Sequence, residues 1–108
     1  MDEALEQSFQ VVSTGKGTTR QVLSESPDLM TVVFRFEEGS IGELHSHPHI
    51  QSTYVQKGHF KFFLGDKEVE LFAGDSLIVP SNIVHGCKAI KAGVLIDTFT
   101  PRRDDFLK

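Results

Sequence analysis

Met30, Val32, Phe34 and Phe36 alternate against Thr31 and Arg35. This period of two gives one apolar face, the signature of a half-buried β-strand. Phe60, Phe62 and Leu64 repeat the pattern, as do Val69 and Leu71 opposite Glu68 and Glu70. Gly65-Asp66-Lys67, between those two runs, predicts a hairpin turn. Leu77-Ile78-Val79 and Val94-Leu95-Ile96 are continuous apolar runs, which predicts strands covered on both sides. Gly, Pro, Asn and Asp separate the runs roughly every 8–12 residues, the spacing of an all-β sandwich or barrel. Helical periodicity is confined to the start, where residues 1–7 predict one short helix. There is no internal repeat, linker or low-complexity tract. The expected architecture is a small β-barrel with a polar, ligand-bearing mouth.

At 108 residues and 12.0 kDa the chain predicts one domain spanning 1–108. Its 39% apolar content, nine Phe included, suffices for one small core. A formal charge of −4 and a pI near 5.7 argue against nucleic acid or an anionic membrane as partner. No segment approaches the roughly 20 apolar residues of a membrane span. The acidic opening, Met1-Asp2-Glu3-Ala4-Leu5-Glu6, lacks the basic-then-apolar form of a secretory signal. A lone Cys87 cannot form an internal disulfide. Together these features predict a cytoplasmic domain.

The chemistry concentrates in His45-Ser46-His47-Pro48-His49-Ile50-Gln51, which holds three of the five histidines. Neutral imidazole is the commonest protein metal ligand. Residues two apart on a strand point the same way, so His45 and His47 can aim at one ion. Pro48 has no N–H to give a ladder and predicts a turn or bulge. Gln51 then starts a new strand and can return to the same point, with His85 as the distant fourth ligand. His49 is either a proton carrier lining the pocket or a residue of its rim. His59 is expected to be exposed on a strand, and Cys87 to act as a small buried hydrophobe.

With these residues in place, the chain resembles a single-domain cupin. The first cupin motif falls at 39–58, on Gly39, His45, His47, Gln51 and Gly58, with Gln51 where Glu is usual. The second falls at 74–89, on Gly74, Pro80 and His85, with Asn82 in place of a Gly and Ala89 in place of an Asn. The resemblance implies a double-stranded β-helix, or jelly-roll barrel. Asn is among the residues that tolerate a left-handed backbone, so Asn82 leaves that expectation intact. A set of three His and one Gln gives a divalent ion no negative charge. The ion therefore keeps its full charge as a Lewis acid, which disfavours iron–oxygen chemistry. Imidazole suits several metals, and Zn, Ni, Fe and Mn all stay open.

On composition alone, Asp97 reads as a strand-end residue in a turn before a solvated charge run. If the strand ending in Val94-Leu95-Ile96 crosses the barrel, Asp97 could instead face the metal, with Phe99 walling the pocket. The His-x-His-Pro-His-x-Gln run, the Ile78-Val79-Pro80 approach to His85-Gly86, and the ending Asp97-Thr98-Phe99-Thr100-Pro101-Arg102-Arg103 resemble the pectin-degradation cupins of the KdgF type. That resemblance implies conversion of 4,5-unsaturated monouronates, from pectin or alginate, to the linear keto form. It carries the metal ligands onto His45, His47, Gln51 and His85, and the active-site residues onto Asp97, Phe99 and Arg103. Arg102 is the second candidate for the basic residue, and Ile50 stands where many relatives have Glu. The expected partners are a small anionic sugar and, by analogy with small cupins, a second copy of the chain. The rival readings are a small-molecule dioxygenase, which would consume oxygen with ferrous iron, and a sugar- or acid-binding module, which would return its ligand unchanged.

Overall fold

The computed structural model describes residues 7–108. Eight strands follow in order: β1 (Val12–Gly15), β2 (Thr18–Ser26), β3 (Leu29–Phe36), β4 (Ile41–His45), β5 (Ile50–Leu64), β6 (Lys67–Phe72), β7 (Ser76–Val79) and β8 (His85–Thr100). A 3₁₀ turn, Asp104–Leu107, follows β8. The fold is all-β, and no α-helix occurs among the described residues. The helix expected over residues 1–7 is not borne out where it can be followed, at Gln7, which is irregular and hydrogen-bonds to the Glu25 backbone. Its other residues lie outside the described ones.

Two long strands, β5 and β8, form the spine, paired antiparallel from Ile50↔Thr100 to Leu64↔His85. Each changes its outer partner half-way. One half of β8 pairs β3 and the other pairs β4, while β5 takes β7 and then β6. The change coincides with bulges between Val55 and Phe60, which bend the ladder into two layers. Backbones meet too closely there for any side chain. Gly58 sits at φ 97°, and a Cβ on it would lie 2.6 Å from the Ala92 carbonyl oxygen. A Cβ on Gly93 would overlap the Lys57 carbonyl oxygen.

The predicted inward faces hold: Met30, Val32, Phe36, Phe60 and Phe62 are buried. The hairpin turn expected over Gly65-Asp66-Lys67 is made by Gly65-Asp66, and Lys67 already begins β6. Three expectations need correction. The sheet is not closed into a barrel; its path runs β1-β2-β3-β8-β5-β6, with β4 on β8 and β7 on β5. No pairing joins β1 to β4 among the described residues, and a cavity opens in that gap, lined by Thr14 on one side and Ile41 on the other. The runs Leu77–Val79 and Val94–Ile96 are covered on one side only, since Ile78 is exposed and Val94 and Ile96 are half-buried. Their outward apolar positions lie on the free face of the sheet. Finally, Asp97 is a buried residue inside β8, paired with Val32 and Thr53, and not a strand-end residue in a turn.

Candidate metal centre and its cavity

His45 closes β4 directly opposite His85, the first residue of β8. This pairing joins two imidazoles 40 positions apart and sets their rings 4.3 Å apart. His47 lies past the strand end, in the turn around Pro48, so simple alternation along one strand does not place it. Two contacts hold that turn beside the β7–β8 connection. The Asn82 N–H donates to the His47 carbonyl at 2.8 Å, and the Ser81 hydroxyl to the Pro48 carbonyl at 2.6 Å. Asn82 makes its bond from φ 65°, the left-handed conformation expected for it. The ligand-capable atoms of His45, His47 and His85 lie within 4.8 Å of one another.

All three rings are oriented alike. Nδ1 of His45 faces the Glu43 carbonyl at 2.9 Å, that of His47 the His49 carbonyl at 3.2 Å, and that of His85 the Ile83 carbonyl at 2.9 Å. A carbonyl can only accept, so each Nδ1 donates, and in the neutral ring Nε2 is the nitrogen left with a lone pair. Such second contacts commonly fix metal-binding histidines. Burial pushes the His85 pKa down to about 4, and burial followed by the Arg103 charge lowers that of His47. Both are therefore neutral, ligand-competent imidazoles at neutral pH.

Gln51 begins β5 on the same inward face. Its amide nitrogen donates to the Thr53 hydroxyl at 2.8 Å and to Asp97 Oδ2 at 3.3 Å, which turns Oε1 toward His47 Nε2 at 3.0 Å. Two lone pairs at that distance repel unless a cation lies beside both. His85 Nε2 is buried with no hydrogen-bond partner, an arrangement costing about 1–3 kcal/mol in a site meant to stay empty. These strains fit a metal held by His45, His47, His85 and Gln51. The donor set of three neutral nitrogens and a neutral oxygen suits a divalent transition ion without naming it.

The cavity beside this cluster has a volume of about 270 Å³. Asp97 and Phe99 form part of its wall, and Arg103 reaches it from beyond β8. Burial pushes the Asp97 carboxyl up to about 7, although the Thr53 hydroxyl and the Arg103 charge pull the other way. Its Oδ1 has no partner. The Phe99 ring meets His47 edge-on at 5.7 Å. The Arg103 guanidinium lies 5.3 Å from the Phe99 centroid, and its fork is held by Asp105 at 3.0 and 2.9 Å. Arg102 turns away to Glu25 and Asp104, so of the two adjacent arginines it is Arg103 that lines the cavity.

The remaining sequence candidates fall into place around this site. His49 leans on His47 and Phe99 but does not line the cavity; its carbonyl orients His47. Cys87 is buried, and its thiol is pushed up to about 12 by burial and then by Asp97, as suits a small hydrophobe. His59 is half-buried, stacked on Phe72 with Glu70 at 2.6 Å, and so is less exposed than expected. Ile50 is exposed at the head of β5, on the face opposite Gln51, and does not line the cavity. Sequence reasoning missed Thr53, Arg20 and Phe106. Thr53 could have been found, since it stands two residues after Gln51 and must share its face.

A two-layer β fold with three convergent imidazoles at its mouth defines the cupin class, and the family model described as Cupin domain matches residues 32–99. The pectin degradation protein KdgF of Dickeya dadantii (strain 3937) is 40% identical over 95 residues, 86% of each chain. Among solved structures, an RmlC-like cupin from Shewanella frigidimarina NCIMB 400 is 39% identical with a TM-score of 0.87, covering 91% of this chain and 88% of its own. KdgF from Halomonas sp. is 33% identical with a TM-score of 0.87, over 93% and 97%. The chain belongs to the cupins and, within them, to the KdgF family.

Proposed function

We propose that this protein opens and ketonises 4,5-unsaturated monouronates, and that Asp97 moves the proton. The observation that carries this reading is the convergence of a neutral three-His, one-Gln cluster, a buried carboxyl and a guanidinium on one small cavity. Kinship with pectin degradation protein KdgF supplies the substrate class. The reaction is an isomerisation without redox change. The bond from ring oxygen to anomeric carbon breaks as the anomeric hydroxyl becomes a carbonyl. The oxygen stays on the enol, and the neighbouring enol carbon takes a proton to leave a ketone.

A divalent ion in this cluster would supply Lewis-acid polarisation of a substrate oxygen. Gln51 serves both sides of the site, offering Oε1 to the ion and its N–H to Asp97. A carboxyl titrating near 7 holds its proton and releases it with little driving force either way, as suits a group serving as both acid and base. Phe99 excludes water from that proton path, and Arg103 orients the substrate carboxylate by exchanging it for Asp105. The family's habit of pairing also favours a homodimer, with the exposed Ile50, Tyr54 and Ile78 on the free sheet face as its contact. Incubating purified protein with unsaturated galacturonate, with and without chelator, tests the activity. Chelator-sensitive loss of the ene absorbance without oxygen uptake is expected, and no such decay would sink the reading.

A further inference from the structure

Arg20 projects from β2 between buried Thr18 and Val22, at the position paired with Phe34, and lines the cavity. Its guanidinium carbon lies 4.2 Å from the centroid of the Phe106 ring. That of Arg103 lies 4.2 Å from the same centroid. Phe106 is wedged edge-on against Phe34 at 6.1 Å and Phe99 at 5.8 Å, so the 3₁₀ turn carrying it fixes the place of both cations. The two guanidinium groups are thus closer than the roughly 10 Å Debye length at 0.1 M salt, and they repel. Burial and the Arg103 charge oppose ionisation of Arg20, while the Asp105 charge favours it.

One carboxylate, Asp105, serves both cations, and its charge at Arg20 outweighs the repulsion from Arg103 without bonding to Arg20. Asp105 gives both its oxygens to Arg103. Asp97 is engaged with Gln51, and Glu43, the remaining acid of the cavity wall, is exposed. Among the described residues, no carboxylate lies within ion-pair distance of Arg20. A half-buried guanidinium facing a cavity is a planar fork suited to a carboxylate. The imidazoles come from β4, β8 and the turn between β4 and β5, whereas the guanidinium pair comes from β2 and the C-terminal segment. A sugar acid could therefore place its hydroxyls on the first wall and its carboxylate on the second.

We infer that Arg20 is a second carboxylate-anchoring residue of this cavity, acting beside Arg103 on the acid group of a monouronate. The inference rests on the uronate reading for its substrate class, but binding of a saturated probe tests it without turnover. Calorimetric titration with D-galacturonate and with its neutral amide should show the wild type preferring the acid at least tenfold. Arg20→Gln should remove that preference, Arg20→Lys should keep part of it, and Arg35→Gln, on the outer face of β3, should leave it unchanged. With unsaturated galacturonate, Arg20→Gln should raise KM at least tenfold with kcat within about threefold. Galacturonate binding unaltered in Arg20→Gln overturns the inference, as does a wild type that binds acid and amide alike. An acid preference in a wild type with no turnover would instead remove the isomerase reading and leave the anion site standing.

Discussion

Asp97→Asn keeps the shape of the buried side chain and removes its titration, and metal-stripped protein should register the change as a reversal of stability with pH. The carboxyl is buried, which pushes it from its ordinary value near 3.8 up to about 7. Between those values the native state holds a proton that the unfolded chain has released, so stability falls as pH rises through the window. At about 1.4 kcal/mol per pH unit, an interval of about three units amounts to about 4 kcal/mol, complete by pH 8. His85 works in the opposite sense. Its pKa is lowered to about 4, so its contribution is present above pH 6.5 and lost as pH falls toward 4. The wild-type profile should therefore be shallow below pH 6.5, and only the difference between the two proteins isolates Asp97. In the variant an amide group replaces the unpartnered Oδ1, costing about 1–3 kcal/mol at every pH. The variant should be the less stable protein at pH 4 and the more stable at pH 8. The swing of about 4 kcal/mol corresponds to roughly 15 °C or more in Tm. Thermal or urea melts of EDTA-treated proteins from pH 4 to 8 provide the test. Parallel profiles would show that Asp97 is ionised throughout and would refute its assignment as the proton carrier.

Removing His47 or His85 as Ala should abolish stoichiometric metal, measured by elemental analysis of purified protein, while circular dichroism keeps its β signature. Gln51→Glu should tighten divalent binding at least about fivefold, because a unit charge near the ion is worth about 1 kcal/mol even at the dielectric of water; a competition titration with a chelating dye reads it. Thr53→Val removes the acceptor for the Gln51 amide, and should cost about 1–3 kcal/mol in urea melts together with a loss of kcat. Gly93→Ala forces a Cβ into the Lys57 carbonyl and should leave little folded protein by gel filtration, whereas Gly74→Ala meets no neighbour and, strained only by its φ of 97°, should fold with a lowered Tm.

Much of the site was legible because its spacing is short-range. His45, His47 and Gln51 are separated by a turn that Pro48 announces, and of the two remaining histidines, His59 and His85, only His85 falls at the spacing of the second motif. The buried polar row was less so. Asp97 stands next to a charge run, and only the β3–β8–β5 register, a long-range fact, puts it inside. Arg20 and Phe106 had no local signal, because the walls they complete are assembled from opposite ends of the chain. Strand lengths were also hidden. The bulges between Val55 and Phe60 break the period of two, so β5 reads as separate short runs although it is one bent strand.

The β5–β8 spine also has a consequence for synthesis. β5 is 15 residues long, and its principal partner begins only at His85. As the chain leaves the ribosome, β5 must wait with an unpaired edge while the next 20 or so residues are made, since synthesis runs at about 5–20 residues per second. An unpaired edge of that length is a template for aggregation. The outward positions of its bent half include Lys57 and Lys61. Charged side chains of this kind discourage edge-to-edge pairing with other nascent chains. The same segment that later carries Gln51 to the metal cluster is thus guarded, during that interval, by residues with no part in the chemistry.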